Sequence, residues 1–217
     1  MKANTELYED IVEKLEFEPS VDAKNITIAV KEGVVTLAGK VTTLFEKCSA
    51  ERAVKSIEGV KAVANDMEVD ITVPFQHTDA EIARAAAHAL EWDVTVPGAG
   101  IQVSVEKGQV TLTGQVEWWF ERQSAEKAIR RLVGVRSVNN QIIIRPKVAA
   151  KDVERQIMRE FHRNADIDAK RIEVAVDGNK VTLKGHVRSW AESQEATRGA
   201  WSVPGITQVD NQLAVSL

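Results

Sequence analysis

The sequence predicts an α+β fold built three times over. Each copy is an αββαβ unit, a three-stranded mixed sheet covered on one face by two helices. Three observations predict it. The phrase GVVTLAGKV at 33–41 returns as GQVTLTGQV at 108–116 and as NKVTLKGHV at 179–187. A constant offset of 75 carries the first copy onto the second, and one of 71 carries the second onto the third, with no gap inside a copy. Within each copy the apolar spacing changes from helical to alternating and back. The expected units are 1–72, 76–146 and 148–217. The short connectors carry Pro74 and Pro146, which should limit how freely the units move.

Each unit opens on a helix. Leu7, Ile11 and Leu15 recur at every fourth residue, matched by Ile82, Ala86 and Leu90, then by Val153, Ile157 and Phe161. That spacing puts one apolar stripe on one face. Thr78 and Glu81 form a capping box ahead of the second copy. Ile26, Ile28 and Val30 then alternate with Thr27, Ala29 and Lys31, the period of a strand with one buried face. Glu32-Gly33, Lys107-Gly108 and Asp177-Gly178-Asn179 turn the chain, and Val35, Leu37 and Val41 complete a hairpin. A second helix turns Ala50, Ala53, Val54 and Ile57 inward and stops at Gly59, Gly134 or Gly205. The last strand carries Val63, Met67 and Val69, or Val138, Ile142 and Ile144, or Val209, Leu213 and Val215. A right-handed crossover makes it parallel to the strand before the helix.

Composition narrows the function. Net charge is −4, with 44% hydrophobic and 28% charged residues. Residues 1–72 hold 9 Lys/Arg against 14 Asp/Glu, 73–146 hold 8 against 8, and 147–217 hold 11 against 10. No basic face of the kind that grips nucleic acid emerges. The lone Cys48 excludes an internal disulfide. No apolar run reaches the roughly 18 residues of a membrane span, and the start MKANTELYEDIVEKLEFEP lacks the apolar stretch of a signal peptide. The expected compartment is the cytoplasm, or the periplasm if a leader has been removed.

The repeated signature IAVKEGVVTLAGKV with GVKAVAND, VSVEKGQVTLTGQV with GVRSVNNQ, and VAVDGNKVTLKGHV with GITQVDNQ resembles the BON domain (bacterial OsmY and nodulation). The third copy departs from it, with Asn179 at the glycine position and Ile206 at the valine. The resemblance covers essentially the whole chain, three times in register. It implies the αββαβ fold, no enzymatic activity, and a place in osmotic or envelope stress. It also implies binding to phospholipid or to protein partners. One branch of the family senses potassium with a second module that has no counterpart here.

Candidate sites are few. His77, His88, His162 and His186 lack metal-ligand spacing, and the repeated glycines lie in hairpins and not ahead of a helix, so no catalytic, cofactor or metal site is expected. Cys48 is expected to be a surface thiol. Glu46, Glu121 and Glu192 share one position, and Thr43-x-x-Glu46 and Ser189-x-x-Glu192 read as capping boxes. The second copy replaces the cap by Trp118, followed by Trp119 and Phe120. Leu44, Trp119 and Trp190 share the next position, and a contact with each unit's own first helix is expected. Trp118 is either exposed or packed on a neighbouring unit. Arg122, Lys127, Arg130 and Arg131 fall on the outer or flanking sides of the helix behind it. They form either an ordinary solvated face or, with Trp118, Trp119 and Phe120, a lip for an anionic lipid headgroup. Trp92 and Trp201 are expected in cores.

The function expected is therefore a stress-response protein that binds an anionic phospholipid or a protein client through its array. The alternatives are potassium sensing, with turn carbonyls and Asn65, Asn140 or Asn211 as oxygen donors, or a homo-oligomeric scaffold pairing open strand edges.

Overall fold

The structure, a computed structural model, describes residues 4–71, 77–97, 100–146 and 152–215. Pro74 lies outside the described residues. Unit one contains α1 (Asn4–Glu16), β1 (Ile26–Lys31), β2 (Val34–Val41), α2 (Leu44–Lys55) and β3 (Ala62–Val69). Unit two contains α3 (Asp79–Trp92), β4 (Ile101–Glu106), β5 (Gln109–Val116), α4 (Trp119–Arg130) and β6 (Ser137–Ile144). Unit three contains α5 (Val153–Arg163), β7 (Ile172–Asp177), β8 (Lys180–Val187), α6 (Trp190–Trp201) and β9 (Gln208–Val215). The three sheets run β1-β2-β3, β4-β5-β6 and β7-β8-β9. In each the first pair is antiparallel and the last strand joins parallel, as the crossover requires.

The glycine of the repeated phrase now has a reason. Gly39, Gly114 and Gly185 face Ile26, Ile101 and Ile172 across the hairpin. They sit at φ +126°, +134° and +120°. A Cβ there would come within 2.1, 2.0 and 2.1 Å of the carbonyl oxygens of Asn25, Gly100 and Arg171. No side chain fits, so the residue is glycine three times. Asn179 explains the third copy's departure. A Cβ on Gly33 or Gly108 would come within 2.9 or 2.8 Å of the Gly59 or Gly134 carbonyl, whereas the Asn179 amide donates to the Gly205 carbonyl at 2.6 Å.

One apolar cluster fills each unit between its helices and sheet. Leu7, Ile11, Leu15, Val35, Leu37 and Val54 are buried in unit one, with counterparts in the others. Unit three compensates within its core. Phe161 replaces Leu15 and Leu90, and Gly199 replaces Ala53 and Ala128. A Cβ on Gly199 would stand only 3.2 Å from the Phe161 ring.

The shared glutamate does more than cap. Thr43 Oγ1 accepts from the Glu46 amide, but the Glu46 carboxylate receives the Thr42 amide at 2.9 Å, one residue before the cap. Its other oxygen takes the Asp22 amide from the turn ahead of β1. Glu192 repeats this with the Arg188 and Asp168 amides, both at 2.7 Å. Burial pushes the Glu192 carboxyl up. The amides of Asp168 and Arg188 and the Arg188 guanidinium outweigh that and hold it below the usual range. In unit two the turn residue is Pro97, which has no N–H to offer, and among the described residues Glu121 takes the Glu117 and Trp118 amides.

The expectation that Leu44, Trp119 and Trp190 pack within their own units is corrected for Leu44 and Trp190, while Trp119 keeps its own cluster, which includes Ile82, Ala86 and Leu90 of α3. Each opens a second helix and reaches the next unit. Leu44 is buried inside the apolar cluster of unit two. Trp119 packs on its own cluster and stacks on Trp201 of unit three, 5.7 Å between centroids and 8° between planes. Trp190 packs on the cluster of unit one, with Lys55 Nζ 5.5 Å over its ring. Lys55, Arg130 and Trp201 are themselves one repeat position, the last residue of α2, α4 and α6. The three second helices therefore run head to tail around a closed triangle, unit one onto two, two onto three, three onto one. Local sequence places these side chains at the rim of their own unit, where the nearest free apolar surface belongs to a neighbour.

Two further expectations change. Cys48 is half-buried against the unit-two cluster, and that burial pushes its thiol up, so it is not a freely exposed thiol. Trp92 is not in a core: it is 73% exposed at the end of α3, beside His88.

Candidate functional site

The lip at the start of α4 exists because a cap was given up. Thr43 and Ser189 each accept an amide hydrogen bond, but the Trp118 indole has no acceptor to offer. Glu121 ties the turn by accepting the Glu117 and Trp118 amides. The aromatic rings face unit three. Trp118 and Trp119 are half-buried and Phe120 is 50% exposed. Trp118 and Phe120 stand 6.4 Å apart between centroids.

These rings wall a groove of about 510 Å³. Its other side comes from α5 and α6: Glu160, Asn164, Glu195, Arg198, Gly199 and Trp201. The volume falls within the roughly 300–1,000 Å³ usual for ligand clefts. A second hollow of about 310 Å³ shares Glu160, Gly199 and Ser202 with it and adds Gln156, Arg159 and Arg163. The two adjoin at Glu160, Gly199 and Ser202.

The structure does not gather the predicted basic residues at this lip. The Arg122 guanidinium donates to the Asn140 carbonyl at 3.0 Å, beneath its own helix. Arg130 pairs with Glu126, and its charge reaches Cys48 and Glu51 of unit one. Lys127 and Arg131 are exposed, and their charges reach Asp93 beyond α3. Thr95 does most to hold that Asp93 carboxyl low, through its hydroxyl and then its amide. Trp118, Trp119 and Phe120 are thus brought together, while Arg122, Lys127, Arg130 and Arg131 are spread over three directions.

Sequence reasoning missed the residues that face the lip, Arg198 and Trp201 of unit three, and Arg159 and Arg163 in the adjoining hollow. A signal was present. Arg159 stands where the other units have Glu13 and His88, and Arg163 where they have Phe17 and Trp92. What the sequence lacked was the knowledge that unit two's helix start abuts unit three.

The repeated asparagines are committed to structure. The Asn140 amide donates to the Arg122 carbonyl and to Glu126, Asn65 to Glu51, and Asn211 to Ser193 and Thr197. Among the described residues no group of three or more His, Cys, Asp or Glu is placed to hold a metal ion, and no helix is long and apolar enough to cross a membrane.

Three αββαβ units with one glycine-pinned hairpin each define the class, and the family model for the BON domain matches residues 3–71, 78–146 and 149–216. The chain belongs to the BON-domain family. A curated relative is osmotically-inducible protein Y of Escherichia coli K12, 26% identical over 127 residues. That match covers 57% of this chain and 63% of the relative's length. Among solved structures it is similar to CdsD, a structural protein of the type III secretion system of Chlamydia trachomatis, at 15% identity and TM-score 0.27 over 97% of this chain and 92% of that one. A structure of the C-terminal domain of CdsD matches at the same identity and TM-score, over the full length of both chains.

Proposed function

We propose that this protein is a non-enzymatic binding protein of the osmotic or envelope stress response, holding a phospholipid or a protein client through its array of units. The osmotic reading comes from its similarity to osmotically-inducible protein Y. The observation that carries the binding reading is the aromatic groove between units two and three, where Trp118, Trp119, Phe120 and Trp201 line one hollow. A helix start that gives up a cap for exposed aromatic bulk, where a neighbouring unit supplies the facing wall, serves a ligand better than it serves folding. Cytoplasmic placement remains part of this proposal.

Co-sedimentation with vesicles tests it. Phosphatidylglycerol vesicles are expected to retain the protein more than phosphatidylcholine vesicles, and a Trp118→Ser, Phe120→Ser double variant is expected to lose that retention. Trp119 is left in place because it stacks on Trp201 between the units. Retention unaffected by the double substitution would place binding elsewhere on the molecule.

A further inference from the structure

We propose that the seam groove takes a single-chain anionic amphiphile, of the fatty-acid type, as an individual molecule. The proposal rests on the binding reading above and names the ligand's chemistry. The apolar chain would lie against Trp118, Phe120 and Trp201. The acidic head would reach the arginines of unit three.

The two adjoining hollows differ in character. The one walled by α4 is aromatic, and the one between α5 and α6 is lined by Gln156, Arg159, Arg163 and Glu160. Gly199 and Ser202 join the two.

Charge selects the sign of the head. Arg159, Arg163 and Arg198 face Glu160 and Glu195 along the two hollows, three guanidinium groups against two carboxylates. Arg163 pairs with Glu160 at 2.6 Å, and Arg198 pairs with Glu195. Those pairs orient two of the forks. Arg159 makes no ion pair among the described residues, so one positive charge is left over in the hollow that adjoins the aromatic one. A carboxylate or monoester head would be received by charge-assisted, forked hydrogen bonds.

The repeat supplies a second, independent line. The aromatic triplet 118–120 occurs only in unit two, and the arginine pair 159 and 163 only in unit three. Two departures from the shared pattern, in different units, line adjoining hollows at one seam. The corresponding seams carry Thr43 against a unit with His88, and Ser189 against a unit with Glu13. Neither pairs an aromatic lip with arginines.

The test is titration of the full chain with dodecanoate below its micelle-forming concentration, read by tryptophan fluorescence and calorimetry. Dodecyltrimethylammonium and phosphatidylglycerol vesicles are the parallel arms. Saturable binding of dodecanoate, absent for the ammonium analogue and weakened by salt, is expected. Arg159→Glu with Arg163→Glu is expected to raise the Kd about tenfold or more. Both side chains are exposed, so an unchanged circular dichroism spectrum checks that the fold is kept. Equal binding of the ammonium analogue, or a Kd indifferent to the arginine reversals, overturns the proposal. Binding to vesicles with none to monomeric dodecanoate also overturns it, while leaving the proposed function standing. Monomer binding without vesicle retention supports this proposal and removes the bilayer arm of the other.

Discussion

Gly114 and Gly178 sit at positive φ for different reasons, and the difference can be measured. A Cβ on Gly114 meets the Gly100 carbonyl at 2.0 Å, whereas one on Gly178, at φ +57°, meets nothing within 4 Å. Gly114→Ala is expected to cost about 3 kcal/mol or more, because the hairpin must part to admit it. Gly178→Ala is expected to cost only the left-handed penalty of about 1–2 kcal/mol. Urea unfolding of the two variants makes the comparison. Glu192 is the second residue to try. Its carboxylate, 3% exposed, holds two loop amides and lies below the usual range. A carboxyl lowered in the fold gives stability that is complete above its unfolded value, about 4.3, and lost as pH falls through the folded value. Glu192→Gln is therefore expected to lower stability by about 1.5–3 kcal/mol at neutral pH. Its disadvantage should shrink as the pH falls below about 4. A gap that stays constant with pH would show that charge is not what the site uses. Both residues were visible in the sequence as repeats, yet the sequence assigned only capping to the glutamate. The Asp22 and Asp168 amides it also receives lie 24 residues away along the chain.

At the scale of the element, α4 sets stability against binding. Trp118→Ser returns to this helix the cap that α2 and α6 have. That is worth about 1 kcal/mol, set against the loss of a half-buried ring. The variant's melting temperature is expected to hold or rise while ligand retention falls, a pairing that a merely structural Trp118 would not give. Loss of both together would assign the ring to folding. The lip itself was legible, since three successive aromatic residues at a cap position break the repeat. Its basic partners were not. Helical phase alone puts Arg122 on an accessible side, but a guanidinium can fold under its helix to a sheet carbonyl, and Arg122 does. Periodicity says which side of a helix a Cα lies on and is silent on where a long flexible side chain ends.

For the whole molecule the decisive feature is the triangle of second helices. The connectors join unit one to two and two to three. The third contact, Trp190 on unit one under Lys55, has no adjoining connector. Trp190→Ala is expected to cost about 1–2 kcal/mol and to open that seam. Small-angle scattering should show a longer particle, while the circular dichroism of the folded units is unchanged. An unaltered scattering profile would mean that the other two contacts suffice. The sequence by itself determined the three units, their strand order and the glycines they need, because those follow from short-range periodicity and backbone sterics repeated in register. Only the tertiary structure decided that residues 44, 119 and 190 reach the next unit, and that unit two's aromatics face Arg198 and adjoin the hollow of Arg159 and Arg163 in unit three. Such pairings depend on which apolar surface each small sheet-and-helix layer leaves open, and that is a property of the packed bodies, written nowhere in the local spacing of the chain.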